Sequence, residues 1–147
     1  MRVVYHSQLD VRFHVRGDGH ASRRWRLIAP FVFEVDSRRW EVPPLFWTDF
    51  ASIPRIVWPI VSPDELGYGP IPHDFGYYTG LESRSYWDDV FLACMEADGI
   101  DPWRRVAAHE AVVRFGHKAW SDYRRQGTGA EQMERIVARI SAETAAA

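Results

Sequence analysis

PHDFGYYTGLESRSYWDDVFLACMEADG, residues 72–99, decides the fold of this chain. Pro72 suits a first helical turn and Gly80 a left-handed C-terminal cap, so the stretch opens with a short helix. Ser83 or Ser85 caps a second helix that ends near Gly99. Trp87, Val90, Phe91, Cys94 and Met95 form its apolar stripe. Asp88 lies three residues before Phe91 and points inward with that stripe, whereas Asp89 falls on the opposite side with Ala93 and Glu96. An unpaired interior carboxylate is expensive, so Asp88 needs a partner. Two antiparallel helices joined by a short turn put His73 opposite it. A carboxylate on one imidazole nitrogen fixes the tautomer and leaves the other nitrogen as a general base. The same pair also fits a second role, a satisfied buried polar contact that specifies helix packing. Asp74, one residue on, points elsewhere and is free to hold a cation. Gly76 sacrifices roughly 1 kcal/mol of helix stability against Ala. That loss is intelligible if another backbone or a substrate approaches closely there.

Working downstream, Asp101-Pro102 starts a third helix that runs to about Phe115-Gly116, with a continuation through Trp120 and Tyr123 left open. Residues 126–130 are a linker. Residues 131–147 form an appended helix and tail, with Met133, Ile136, Val137 and Ile140 at helical spacing. Upstream, residues 48–72 are a proline-rich connection whose aromatic and aliphatic content packs it on the body. Residues 1–47 are β structure. Val3–Tyr5, Val11–Val15, Arg24–Ile28, Phe31–Val35 and Arg39–Val42 are β-branched and aromatic, with turns at Gly17-Asp18-Gly19 and Asp36-Ser37. The expected architecture is α+β in one domain over residues 1–125: a small antiparallel sheet, the prolyl connection, and a helical part over 73–125.

Composition narrows the function classes. The 147 residues are 46% hydrophobic and 14% aromatic, enough for a core without metal or disulfide staples. Lys+Arg 18 against Asp+Glu 20 leaves a net charge of -2, with no basic excess that would ask for nucleic acid. The single Cys94 excludes an intramolecular disulfide and any Cys/His zinc spacing. No apolar run is long enough to span a membrane, and the N-terminus lacks a signal-peptide core. The expectation is synthesis in the cytoplasm without an export signal, with carriage outside as part of a particle left open. His6, His14, His20, His109 and His117 show no partner pattern. Cys94 reads as a small core residue. Trp25, Trp40, Trp47 and Trp58 read as core rather than as a ligand platform.

In the prolyl connection, Asp49 fits two roles: a hard-oxygen ligand suited to calcium, or the cap of a short turn with Ser52 assisting. H-D-F-G-Y, residues 73–77, resembles the signature of bacterial and fungal phospholipase A2 enzymes. The run Ser83 to Phe91 is similar to their second long helix, and Met95 and Ala111 to Gly116 resemble further stretches. Thr48-Asp49-Phe50-Ala51-Ser52 resembles their calcium loop. The resemblance implies a general base at His73, its orienting partner at Asp88 and a bracing tyrosine at Tyr77. It implies calcium held by Asp74, Asp49 and the Phe50 carbonyl. A second resemblance covers most of residues 24 to 116. W-R-L, T-D-F-A-S-I-P-R, H-D-x-x-Y and W-D-D-V-F together resemble an uncharacterised family common in tailed phages and prophages. Three functions follow as expectations. They are a calcium-dependent hydrolase of lipid-like esters, a catalytically silent structural or assembly component of a phage tail, and a cell-envelope binding module. The partners they imply are other phage structural proteins or host envelope lipid.

Overall fold

The computed structural model describes residues 1–15, 23–48, 59, 62, 65–127 and 146. Alternation builds the N-terminal half. In β4 (Phe31–Val35), FVFEV turns Phe31, Phe33 and Val35 to one buried face, as period-two patterning requires. Asp36 and Ser37, at φ 46 and 68, make a tight turn with two left-handed residues, the twist that suits a two-residue hairpin. The chain returns as β5 (Arg38–Val42), and β1 (Val3–Tyr5) closes the other side of β4 to give an antiparallel sheet β1-β4-β5. The Arg2 N–H donates to Asp36 Oδ1 at 2.7 Å and ties the first strand to the turn.

The single expected sheet is two. β2 (Val11–Val15), β3 (Arg23–Leu27) and β6 (Trp47–Thr48) form a second antiparallel sheet in the order β2-β3-β6. Thr48, the first residue of the presumed prolyl connection, is thus part of its edge strand, with Trp25 opposite Thr48 and Arg26 opposite Trp47. Phe46 O accepts from Leu27 N at 3.0 Å, and Leu45 N donates to Leu27 O at 2.8 Å, so the chain between β5 and β6 is stitched to β3.

The helices are α1 (Pro70–Thr79), α2 (Arg84–Ala97), α3 (Pro102–Phe115) and α4 (His117–Arg125). The first begins two residues earlier than Pro72 suggests, because Pro70 also occupies the first turn, where a missing N–H costs nothing. Gly80, at φ 61, closes it with its N–H on Gly76 O. Ser83 is the cap of α2, accepting from the Tyr86 N–H at 3.1 Å. Asp101 stands at the cap position of α3, where its carbonyl rather than its side chain meets the first-turn N–H groups. The third helix does not continue through Trp120; it breaks at Gly116.

One core joins both halves. Leu27, Phe31, Phe33, Val35, Trp40, Val42 and Phe46 from the strand side pack with Ile71, Phe75, Tyr77, Trp87, Val90 and Cys94 of α1 and α2. Leu66, Phe91, Met95, Ala108 and Val112 form a second cluster between α2 and α3. Ala93, expected with Asp89 on the outer side of α2, is buried, while Asp89 is exposed. The linker beyond Gly127 and the amphipathic segment with Met133 to Ile140 lie outside the described residues, as does the turn at Gly17-Asp18-Gly19.

Candidate functional site

The pair α1 and α2 runs antiparallel, since Gly76 meets Trp87 while His73, earlier on α1, meets Phe91, later on α2. Close approach is possible because residue 76 has no side chain. A Cβ there would fall 1.9 Å from the Trp87 ring. The feature that explains Gly76 is thus an indole of the neighbouring helix, neither backbone nor substrate.

This crossing brings His73 and Asp88 together. His73 Nε2 lies 3.0 Å from Asp88 Oδ1, and the Tyr77 hydroxyl donates to the same oxygen at 2.7 Å. Arg84 Nη1, one turn earlier on α2, donates to Asp88 Oδ2 at 3.2 Å. Asp88 is 2% exposed and His73 1% exposed, so every one of these contacts is made in a medium that strengthens it. Asp88 accepts at each contact. His73 Nε2 is therefore the donor, and Nδ1 carries the basic lone pair. Burial holds His73 below the usual imidazole range, against the opposing pull of Asp88. Burial, and then Asp88, push the Tyr77 phenol up. At neutral pH the ring is uncharged, the form in which a general base operates.

Three residues that sequence reading left unassigned hold this arrangement. Arg84 Nη1 also donates to the Val112 and Val113 carbonyls at 3.3 and 3.2 Å, so one guanidinium neutralises Asp88 and caps the end of α3. Its spacing four residues before Asp88 is the signal that could have found it. Gly116 lies against Tyr77; a Cβ there would stand 2.3 Å from the hydroxyl that bonds Asp88. Arg124 of α4 donates to the Tyr77 and Tyr78 carbonyls at 2.8 and 2.9 Å, with Trp120 edge-on to Tyr77.

Asp74 follows a different course from the one expected. It is 7% exposed, and the Thr48 hydroxyl donates to its Oδ2, so one of its oxygens is already engaged by β6. Asp49 and Phe50, the other two expected calcium ligands, lie outside the described residues. Among the described residues no three His, Cys, Asp or Glu side chains gather as a metal cage. The donors named for the ion are nonetheless carboxylate and carbonyl oxygens, the chemistry that calcium prefers.

A half-buried acid, Asp98, stands just past the C-terminal end of α2. Asp98 Oδ2 accepts from the Tyr68 N–H at 2.7 Å, and the Tyr5 hydroxyl donates to Cys94 O at 3.4 Å. Burial pushes the Asp98 carboxyl up and the Cys94 thiol up to about 12. Cys94 is thus the inert core thiol expected of it. His109 Nε2 stands 3.4 Å from Asp89 Oδ1 without hydrogen-bond alignment, on the outer side of α2.

Together, fold and site define an α+β protein whose helix pair encloses a His–Asp–Tyr–Arg network. Residues 25–112 match the model of the family described as Protein of unknown function (DUF1353), and the chain belongs to that family. The matched stretch contains His73, Tyr77, Arg84 and Asp88, and nearly coincides with the one that carries the uncharacterised-family resemblance. It ends before Gly116, Trp120 and Arg124, which support the site from beyond the matched residues. Neither the curated proteins nor the solved structures give a match. No helix among the described residues is long and apolar enough to cross a membrane.

Proposed function

We propose that this chain is a phage- or prophage-encoded ester hydrolase of phospholipase A2 type, with His73 as general base. The observation that carries the reading is the His73 Nε2–Asp88 Oδ1 contact at 3.0 Å in a buried pair with Asp74 next in sequence. In the reaction, His73 Nδ1 takes a proton from water as the water oxygen bonds to the ester carbonyl carbon. Asp88 stabilises the imidazolium that results. Collapse of the tetrahedral intermediate breaks the ester C–O bond, and the imidazolium returns its proton to the departing alkoxide. Tyr77 and Arg84 keep Asp88 in place. Asp74, with Asp49 and the Phe50 carbonyl, would hold calcium. When bound, that ion supplies polarisation of the ester carbonyl.

A second reading, a catalytically silent component of a phage tail, is favoured by a specific observation. His73 is 1% exposed, and Asp74 is already bonded by Thr48. Calorimetric titration of calcium into wild type and Asp74→Asn, with thermal melting alongside, tests the two. On the hydrolase reading calcium binds the folded wild type and raises its Tm by mass action, and Asp74→Asn abolishes both effects. Absence of binding at millimolar calcium sinks the calcium-dependent hydrolase and leaves the structural reading.

A further inference from the structure

The two faces of the β2-β3-β6 sheet differ in a way the site does not explain. The inner face carries Leu27 and Thr48, the latter bonded to Asp74. The outer face carries the row Arg12, Arg26 and Trp47, in which Arg12 lies directly opposite Arg26 and Arg26 directly opposite Trp47. Like charges directly opposite on neighbouring strands repel and destabilise the pair. The other sheet avoids this, setting Glu34 opposite Arg39. Arg12 and Arg26 have no carboxylate partner among the described residues. Arg26 lies over the Trp47 ring at 5.2 Å, and its Nε finds no hydrogen-bond acceptor there. Ile28, two residues along the same face of the chain from Arg26, is 53% exposed, and Trp47 is 43% exposed. Among the described residues two arginines thus stand side by side without an ion-pair partner, flanked by an indole, a branched aliphatic chain and, two residues before Arg12, the exposed Asp10.

We infer that this outer face docks on an anionic phospholipid surface. Phosphates between Arg12 and Arg26 would relieve their repulsion, while Trp47 and Ile28 enter the interfacial layer, the level at which amphipathic rings and aliphatic chains are both stabilised. Nucleic acid offers the same phosphates but gives Ile28 nothing to enter, which is why lipid is the better match. The inference extends the proposed lipid-ester reading by naming the surface that meets the substrate phase. It requires neither calcium nor turnover.

The test is co-sedimentation of the full chain with vesicles of phosphatidylcholine alone and of phosphatidylcholine with phosphatidylglycerol, without calcium. Wild type is expected to sediment with the anionic vesicles and to be released by high salt. The pair Arg12→Glu with Arg26→Glu should weaken that binding about tenfold or more. Trp47→Ala should weaken binding to anionic vesicles while leaving the salt dependence in place. His73→Ala should bind as wild type, so loss of hydrolysis and loss of docking are separately visible. Equal binding to both vesicle types, or unchanged binding by the charge-reversed variant with its melting temperature intact, overturns the inference. So does a shift of duplex DNA by wild type at concentrations where vesicles are not bound, which would assign the arginines to nucleic acid.

Discussion

Two carboxylates mark helix α2, Asp88 buried near its start and Asp98 half-buried just past its end, and the two have opposite surroundings. Asp88 receives a histidine, a tyrosine and an arginine, and its charge is matched by Arg84. Asp98 receives one backbone N–H from Tyr68 and faces tyrosines, with no cation beside it among the described residues. Burial raises the Asp98 carboxyl. Around Asp88 it is the partners that shift: burial pushes His73 down and Tyr77 up. The donors around the carboxylate decide whether it works as a fixed acceptor or as a proton store.

The largest effect that sharpens this contrast is removal of each acid. Asp88→Ala strands Arg84, Tyr77 and His73 and should lower unfolding stability by about 3–5 kcal/mol in denaturant titrations. Asp98→Ala, which frees one backbone donor near solvent, should cost only about 1–2 kcal/mol. Comparable losses at both positions would break the distinction.

The glycines beside the two acids come next. At Gly76 a methyl would strike the rigid Trp87 indole at 1.9 Å, and Gly76→Ala should cost about 3 kcal/mol through overpacking. At Gly67 the obstacle is the short Asp98 side chain, from its Oδ2 at 2.3 Å to its Cβ at 2.8 Å, and the residue sits at φ +64. Gly67→Ala should cost about 1–2 kcal/mol, mostly backbone strain. Equal melting shifts for the two variants would deny that α1 and α2 cross as tightly as described. Smaller again, Tyr77→Phe deletes one hydrogen bond to a charged group and should cost about 1.5–2 kcal/mol.

Much of the helical half was legible in residues 72–99. Ser83, Gly80 and the stripe through Phe91 are local signals, and the inward turn of Asp88 follows from helical spacing alone. Its pairing with His73 required only a short antiparallel connection. The strand half was legible element by element but not in its pairing. Two residues, Trp47 and Thr48, make the edge of the second sheet, too few for any periodicity to show among prolines. Trp47, read as core, faces outward for the same reason, whereas Trp40 is buried as expected. Arg84 carried a readable i,i+4 signal, but its bonds to Val112 and Val113 depend on where α3 ends. Gly116 reads as a helix end; that it also makes room for the Tyr77 hydroxyl depends on tertiary contact.

The smallest expected effect is in pH dependence, with opposite signs at the two acids. His73 is held below its ordinary value of 6.5, so the folded state binds fewer protons than the unfolded one just below that pH. Stability therefore rises with pH up to about that point and is lost on acidification, and His73→Gln should flatten the rise. Asp98 is held above the ordinary carboxylate value of 3.8, so here the folded state binds more protons. Stability falls as pH rises from that value towards the raised one, and Asp98→Asn should remove the fall. Melting temperatures across pH 3–8 for wild type and both variants measure the two slopes. Slopes of the same sign would contradict the assignment of partners.

The most direct test of the account is hydrolysis of a mixed-micelle phospholipid by wild type and by His73→Ala in the presence of calcium, with free fatty acid as the readout. The account predicts calcium-dependent release by wild type and loss of at least about a hundredfold in His73→Ala, the contribution expected of a general base. Wild type that releases no fatty acid, or release that is unchanged in His73→Ala, would contradict it and leave the His73–Asp88 pair as architecture.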